Sequence, residues 1–448
     1  MQPPHPLNAP YPRQPHILGK GVRWSWVRYS RLLGWMFVGA LLATTGCSGG
    51  ATLEIPPNCP GFGTSTDLRR CTLRQAVLPG ANLRGADLRG VDLQGANLTG
   101  ADLTGVVAER ANFSRANLTG AKLNRANLSH ALLIGATLDH ADASEALIYR
   151  ADLSGASLKG AVLQRTNFLE SVAHRTLFIG ANLQMANLSG MEGRQADFSG
   201  ADMGRTFLVN AHFTQGLFNS TNLMQANLGQ AALDAATMHG VNLSGAHLFE
   251  TRLNHASLVS ARLNQAQIVR PQVWDAEFRG ASGLPKWLMA GLHDGRFSPT
   301  RLAAAIRLGL IELGGADLRQ MNLGGVNLKG ADLSFSDLSG AKLNGVDLRE
   351  STLLLARLRG AILKGVNLEQ ANLAGADFTG AELETHYRKE WEYWASVGTP
   401  SWVESEAIQP WGATPGGGTG SPLAVPGESG AKPPLPAPLP PANNATTP

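Results

Sequence analysis

The sequence predicts an all-β solenoid built from five-residue units. Three observations carry this. Glycine accounts for 52 of 448 residues and aromatics for only 6 %, where a globular core of this length would use more bulky side chains. The triplets Ala-Asn-Leu and Ala-Asp-Leu recur along most of the chain. Large apolar residues also keep one phase of five over more than two hundred residues. Self-similarity at a fixed period marks a repeat architecture, in which each unit buries its apolar side only against its neighbours.

Units read Ala-Asn-Leu-Thr-Gly at 96–100 and 116–120, Ala-Asp-Leu-Thr-Gly at 101–105 and Ala-Asp-Leu-Ser-Gly at 151–155. With the Leu taken as the centre, every centre from Leu68 to Phe278 stays in phase, giving 43 consecutive units. Of these, 39 centres are Leu, Ile, Val, Met or Phe, and the exceptions are Ala108, Ala143, Ala173 and Gly193. A second run, from Leu313 to Leu383, adds 15 units whose centres are all apolar. A period of five suits neither an α-helix nor a plain strand. Within a unit, extended backbone alternates a small residue in, a polar residue out, the centre in and a polar residue out. The fifth residue, often Gly, turns a corner.

This pattern resembles the pentapeptide-repeat family, and the resemblance covers about 290 of the 448 residues. It implies a right-handed quadrilateral β-helix with four units per coil, so that residues 20 apart stack. Small residues two before each centre let the narrow square close. Each buried Leu centre contributes roughly 1.5–3 kcal/mol. With coils about 4.8 Å apart, the first array is a rod of roughly 50 Å. Phe178, Phe198, Phe218 and Phe278 fall on one column of centres and are expected to form an inward aromatic stack.

The period divides the chain. Residues 66–282 form array 1 and 313–385 form array 2. Between them, 283–312 break phase: Leu284, Trp287, Leu288 and Leu292 have helical spacing, as do Leu302, Ile306, Leu310 and Leu313 behind a Ser298-Pro299 helix start. A helical hairpin is expected there, packed on the rod or joining two rods. Residues 386–397, with Tyr387, Trp391 and Trp394, are expected to form a capping helix over the open end. The tail 398–448 holds 12 of the 25 prolines and reads as disordered.

The first 46 residues read as an address. Arg13, Lys20, Arg23, Arg28 and Arg31 precede the apolar run 32–43, and Thr44-Thr45-Gly46-Cys47-Ser48-Gly49-Gly50 follows. That order is the layout of a secretory signal. Its end resembles a lipoprotein lipobox, which implies lipidation of Cys47, although Thr44 stands where an aliphatic residue is usual. An uncleaved anchor helix over 24–46 and ordinary cleavage are the alternatives. In each case the protein is expected outside the cytoplasm and, with a lipid or anchor helix, tethered to a membrane. Residues 47–65 form a leader and N-terminal cap. Within or beside it, Cys59 and Cys71 are expected to pair as a disulfide in an oxidising compartment, with Cys71 at an inward small position.

Charge names no partner. Without the five basic residues of 1–46, 33 basic residues face 34 acidic ones. A neutral chain has no electrostatic reason to seek nucleic acid, and lacks the acidity to imitate it. Sequons such as Asn97-Leu98-Thr99 follow automatically from the repeat. The Gly-Gly pairs at 314–315 and 324–325 lack the strand-turn-helix context of a phosphate loop. No two of the array histidines at 130, 140, 174, 212, 239, 247 and 255 are separated by a multiple of 20, so no histidine column arises. Neither metal, cofactor nor small-molecule substrate is expected. A polysaccharide-active β-helix enzyme would need loops inserted between coils, and 43 units pass without one. A DNA-mimic protein that binds topoisomerase is the other alternative, opposed by the neutral arrays and the export signal.

A protein-interaction surface remains, and one face stands out for it. Around the centres Ile148, Phe168, Leu188, Leu208, Leu228, Leu248 and Ile268 there are fourteen outward positions. Seven are bulky and apolar: Leu147, Tyr149, Leu169, Phe207, Val209, Phe249 and Val269. The face centred on 143 to 263 has only Val162 and Met224, and that centred on 138 to 258 has Leu177, Ile179, Leu217 and Val259. A contiguous apolar face marks a contact site, covered by a partner, by self-association, or by the helical insertion or tail folding back.

Overall fold

The computed structural model describes residues 59, 63, 64, 66–389 and 401–403. The expectations for the signal segment, Cys47, most of the leader, residues 390–397 of the capping helix and all of the tail but 401–403 therefore lie outside the described residues.

Four units make one coil. The residue before each centre bridges in parallel to the residue 20 later, as in Asp87↔Val107, Val107↔Asn127 and Asn127↔Leu147, through to Arg262↔Ser282. The second array repeats this from Glu312↔Asp332 to Ile362↔Glu382. Each flat side is so short that the ladder forms mostly single-residue bridges. Within array 1, β1 (His247–Phe249) and β2 (Gln267–Val269) lengthen into a three-residue parallel pair. The backbone is nonetheless paired coil to coil: Leu83 N–H donates to Asp102 O at 2.7 Å, Gly85 N–H to Thr104 O at 2.9 Å and Asn97 N–H to Ala76 O at 2.8 Å. The turn closes when the inward small residue donates to the preceding centre, as Ala96 N–H does to Leu93 O at 3.0 Å. Buried backbone polar groups are thereby satisfied without long strands.

The repeat's polar residues have their own physics. Asp or Asn before a centre accepts the N–H two residues on, as Asp92 does from Gln94 at 3.0 Å and Asn117 from Thr119 at 3.0 Å. These Asx turns fix the corner. Where Thr or Ser replaces the inward Ala, its buried hydroxyl donates to a carbonyl: Thr176 to Leu153 O at 2.8 Å and Ser171 to Phe168 O at 2.6 Å.

Centres and inward alanines form one buried core through both arrays. Phe178, Phe198 and Phe218 stack ring on ring, with centroids 4.7 and 5.0 Å apart and planes 1° and 15° from parallel. Phe278, on the same column, is buried beneath the chain that follows the array, and its N–H donates to Gly295 O at 2.6 Å. Phe213 meets Phe198 edge-on at 5.2 Å. The gap in the pattern at Gly193 has a steric reason: a Cβ there would collide with the Phe213 ring one coil on.

Cys59 and Cys71 are joined by a disulfide with Cα atoms 5.1 Å apart, and Cys71 is buried at an inward position.

After array 1 come α1 (Lys286–Ala290), β3 (Leu292–His293), β4 (Arg296–Phe297) and α2 (Pro299–Arg307). Ser298 occupies the N-cap of α2 in extended backbone, with Pro299 in the first turn. The expectation of a plain helical hairpin is corrected here. Leu292 belongs to an antiparallel strand pair whose Arg296 bridges Glu277, extending the last coil of array 1. Strands two residues long carry no period for the sequence to show, and Leu292 matched the helical spacing by position alone. Trp287, Leu288, Phe297, Leu302 and Ile306 are buried, with the Trp287 and Phe297 rings edge-to-face at 6.1 Å.

At the far end of array 2, β5 (Glu382–Glu384) pairs in parallel with β6 (Ser401–Val403), so the reading of 398–448 as disordered is corrected at these three residues, which complete a strand pair with the last coil. Of the capping helix expected over 386–397, the described part belongs to a 3₁₀ turn, Thr385–Lys389. It is held by Tyr387, whose hydroxyl donates to Val366 O at 2.7 Å and accepts from Leu368 N–H at 3.2 Å, capping two groups of the last coil.

Candidate interaction surface

The outward side chains around Ile148 to Ile268 line one side of array 1, since the residues before these centres pair in parallel at intervals of 20 from Leu147 to Gln267. Leu147, Tyr149, Leu169 and Val209 are half-buried among their neighbours, and Phe207 is 49 % exposed. Tyr149 is clasped by the His130 ring, edge-on at 5.5 Å, and by the Arg150 guanidinium at 4.9 Å.

The face does not remain open to its end: among the described residues, array 2 meets it. Arg270 N–H donates to Gly315 O at 2.6 Å, and Gly315, at φ +71°, lies so close that a Cβ would stand 3.0 Å from Ile268 O and 3.2 Å from Val269 Cα. Phe249, 38 % exposed, lines a cleft together with Phe335, Leu355 and Gly375 from successive coils of array 2. The second array thus meets the side of the last coils of the first. Val269 and Phe249 belong to a seam between the arrays, and Leu147, Tyr149, Leu169, Phe207 and Val209 are the part of the face that lies outside this seam.

The polar part of the seam is densely charged. Glu250 carries Arg357 at 2.6 Å and Arg270 at 3.6 Å, and Arg357 lies 4.0 Å from Asp337. The Arg270 guanidinium also sits 4.9 Å from the Phe249 ring centroid. Burial, followed by the neighbouring Arg357, pushes the Arg270 guanidinium below its ordinary pKa. Arg319 is pushed up, chiefly by its hydrogen bond to Asp317.

Sequence reasoning weighed three faces and left out the fourth, centred on Leu133 to Val273. That face carries exposed Leu132, Ile134 and, at 59 %, Trp274. These residues are separated by polar coils and form no continuous strip. Among the described residues no cluster of His, Cys, Asp and Glu could hold a metal ion, and no helix is long and apolar enough to cross a membrane.

One family's sequence model, described as pentapeptide repeats, matches in eight copies over 66–105, 111–148, 146–184, 176–215, 217–248, 226–265, 311–349 and 354–385. No curated protein sequence matches the chain. Solved structures similar to it include HetL, a pentapeptide repeat protein involved in heterocyst differentiation regulation from the cyanobacterium Nostoc. It is 25 % identical, the match covers 66 % of this chain and 88 % of HetL, and the TM-score is 0.29. QnrB1, a plasmid-mediated fluoroquinolone resistance protein, is 15 % identical over 55 % of this chain and 89 % of its own, with a TM-score of 0.14. A pentapeptide repeat protein of the Arabidopsis thaliana thylakoid lumen is 22 % identical over 28 % of this chain and 63 % of its own, with a TM-score of 0.11. None of these likenesses assigns a partner to this chain.

Proposed function

This chain belongs to the pentapeptide-repeat family, and we propose that it is a non-enzymatic scaffold that binds a protein partner on the apolar face of its first array. The observation that carries the reading is the unbroken ladder of i↔i+20 bridges on this side, which sets Leu147, Tyr149, Leu169, Phe207 and Val209 in register on one flat side, with Asn187 and Ser189 between Leu169 and Phe207. A strip of this kind suits a flat partner. An enzyme would need loops between coils to gather catalytic groups, and the coils of array 1 admit none. The family resemblance supports a right-handed winding.

The same proposal places the protein outside the cytoplasm, tethered to a membrane. Its support is the basic-apolar-small order of the first 50 residues and Cys47 at the lipobox-like position. The test has two parts. Phe207→Ser should leave the fold intact and weaken affinity pull-down of the partner from a membrane fraction, and unchanged pull-down would refute the binding face. Cys47→Ala should release the chain from the membrane fraction if a lipid is the tether, whereas retention would point to an uncleaved anchor helix.

A further inference from the structure

We propose that the chain's own proline-rich segment, 432–441, docks in the seam between the arrays as a strap laid across Phe249, Phe335 and Leu355. The seam lies outside the strip proposed to bind a partner, and the strap does not depend on that reading.

Among the described residues, the seam is fastened mainly by its polar half. Arg357 meets Glu250 at 2.6 Å, and Arg270 N–H donates to Gly315 O at 2.6 Å. The apolar half is left open. Phe249 from array 1 and Phe335 and Leu355 from array 2 converge on one cleft of about 340 Å³, yet they remain 38 %, 39 % and 47 % exposed. Lone apolar side chains are ordinary on a surface, but three that converge from two arrays mark a contact. Leu355 lies over Gly375 of the next coil, where an added Cβ would stand 2.7 Å from Leu355 Cδ2. The backbone beneath is already paired, Phe335 N–H donating to Leu354 O at 2.8 Å and Leu355 N–H to Ala374 O at 2.9 Å. Here the cleft offers no free ladder edge to an added strand. It suits an occupant that brings apolar rings and asks for few backbone hydrogen bonds.

Residues 433–441 have that chemistry, reading Pro-Pro-Leu-Pro-Ala-Pro-Leu-Pro-Pro. Six of the nine have no N–H to satisfy. Such a sequence favours the polyproline II helix, which costs little to order and docks on aromatic-lined grooves. One turn of that helix advances about 9.3 Å, and two coils of the array advance about 9.6 Å. Residues one turn apart, such as Pro436 and Leu439, thus match the corner side chains from Phe335 to Leu355 over Gly375.

The path of the chain singles out this occupant. β6 is laid against β5, in the coil that also contains Gly375, so the chain leaves array 2 at the end where the cleft lies. Residues 404–431 then intervene, 28 in all. A random chain of that length averages roughly 30 Å end to end, whereas the whole of array 2 is roughly 20 Å tall. Attachment at this range gives an effective concentration of about millimolar, which favours the chain's own segment over a separate partner of equal chemistry.

The test places a photoreactive residue at Leu355 or, separately, at Phe335 in the full chain, irradiated in cells. Each should give an adduct to 432–441 within one chain, at least about fivefold above the yield from Lys364. Lys364 is exposed on the side of array 2 that carries β5, so random collisions with the tail favour it. Replacing the six prolines of 433–441 with serine, outside both arrays, should lower the adduct to the Lys364 level. The strap is overturned if neither probe, in chains that melt as the unaltered chain does, labels 432–441 above that level. Labelling that survives the six serines overturns it too, as does an adduct to a second copy, seen at dimer size, or to another protein in place of 432–441.

Discussion

The carboxylate of Glu250 in the first array lies 2.6 Å from the guanidinium of Arg357 in the second, across 107 positions of sequence. Glu250 sits at a corner of one of the last coils, and Arg357 is an outward residue of array 2. The pair therefore fastens the two solenoids side to side. Its side chains are 19 % and 36 % exposed, so solvent screening reduces its strength. A double-mutant cycle with Glu250→Gln and Arg357→Gln, read by urea unfolding, should give a coupling of about 0.5–1.5 kcal/mol. Zero coupling would mean that the arrays are held by the other seam contacts alone.

The close approach of Gly315 makes a second, steric prediction. Gly315 and Gly380 have similar φ, +71° and +68°, but only Gly315 has backbone within reach of an added Cβ. Each Gly→Ala change costs about 1–2 kcal/mol for the left-handed backbone. Gly315→Ala should cost more than Gly380→Ala by roughly another 1 kcal/mol or more, and should raise the radius of gyration by loosening the seam. Equal costs in thermal unfolding would contradict the close approach.

The aromatic column predicts where the core is least forgiving. Phe198 is fully buried and touches Phe178, Phe213 and Phe218. Phe198→Ala should destabilise by about 3–5 kcal/mol through lost burial and a residual cavity. Phe207→Ser, on the outside of the same array, should cost well under half as much in the same denaturation series.

Acid should weaken the coils through their outward carboxylates. The Arg349 side-chain hydrogen bond, opposed by burial and aided by the Arg349 N–H, holds Asp347 below the usual carboxylate range, and Arg89 does the same for Asp87. A carboxyl whose folded pKa is depressed stabilises the fold above its unfolded value of about 3.9. That contribution is lost as pH falls through the lower folded value. Melting temperature should thus be level near neutrality and fall below about pH 4, with a shallower fall for Asp347→Asn. An identical acid profile for the variant would contradict the assignment.

Much of the fold was legible because each unit repeats the same problem: one large centre inward every five residues, one Asx side chain to tie the turn, one corner. The period survives even at Gly193, whose missing side chain is filled by Phe213 from the next coil. The seam was not legible. Glu250, Gly315, Phe335, Leu355 and Arg357 each occupy ordinary corner or outward positions, and only the packing of array 2 beside array 1 brings them together. For the same reason Phe249 and Val269 looked like surface. The β3–β4 pair was hidden by its length, and the Tyr387 cap by a hydroxyl that acts on backbone 19 and 21 residues earlier.

The binding face is tested most directly by site-specific photo-crosslinking in the native cell. A photoreactive residue at Phe207 should yield a discrete covalent adduct with the partner, and the same residue at the exposed Gln184, on the more polar face centred on 143 to 263, should yield none. A chain that crosslinks to nothing from position 207, or to the same proteins from both positions, would contradict a scaffold that binds through this face.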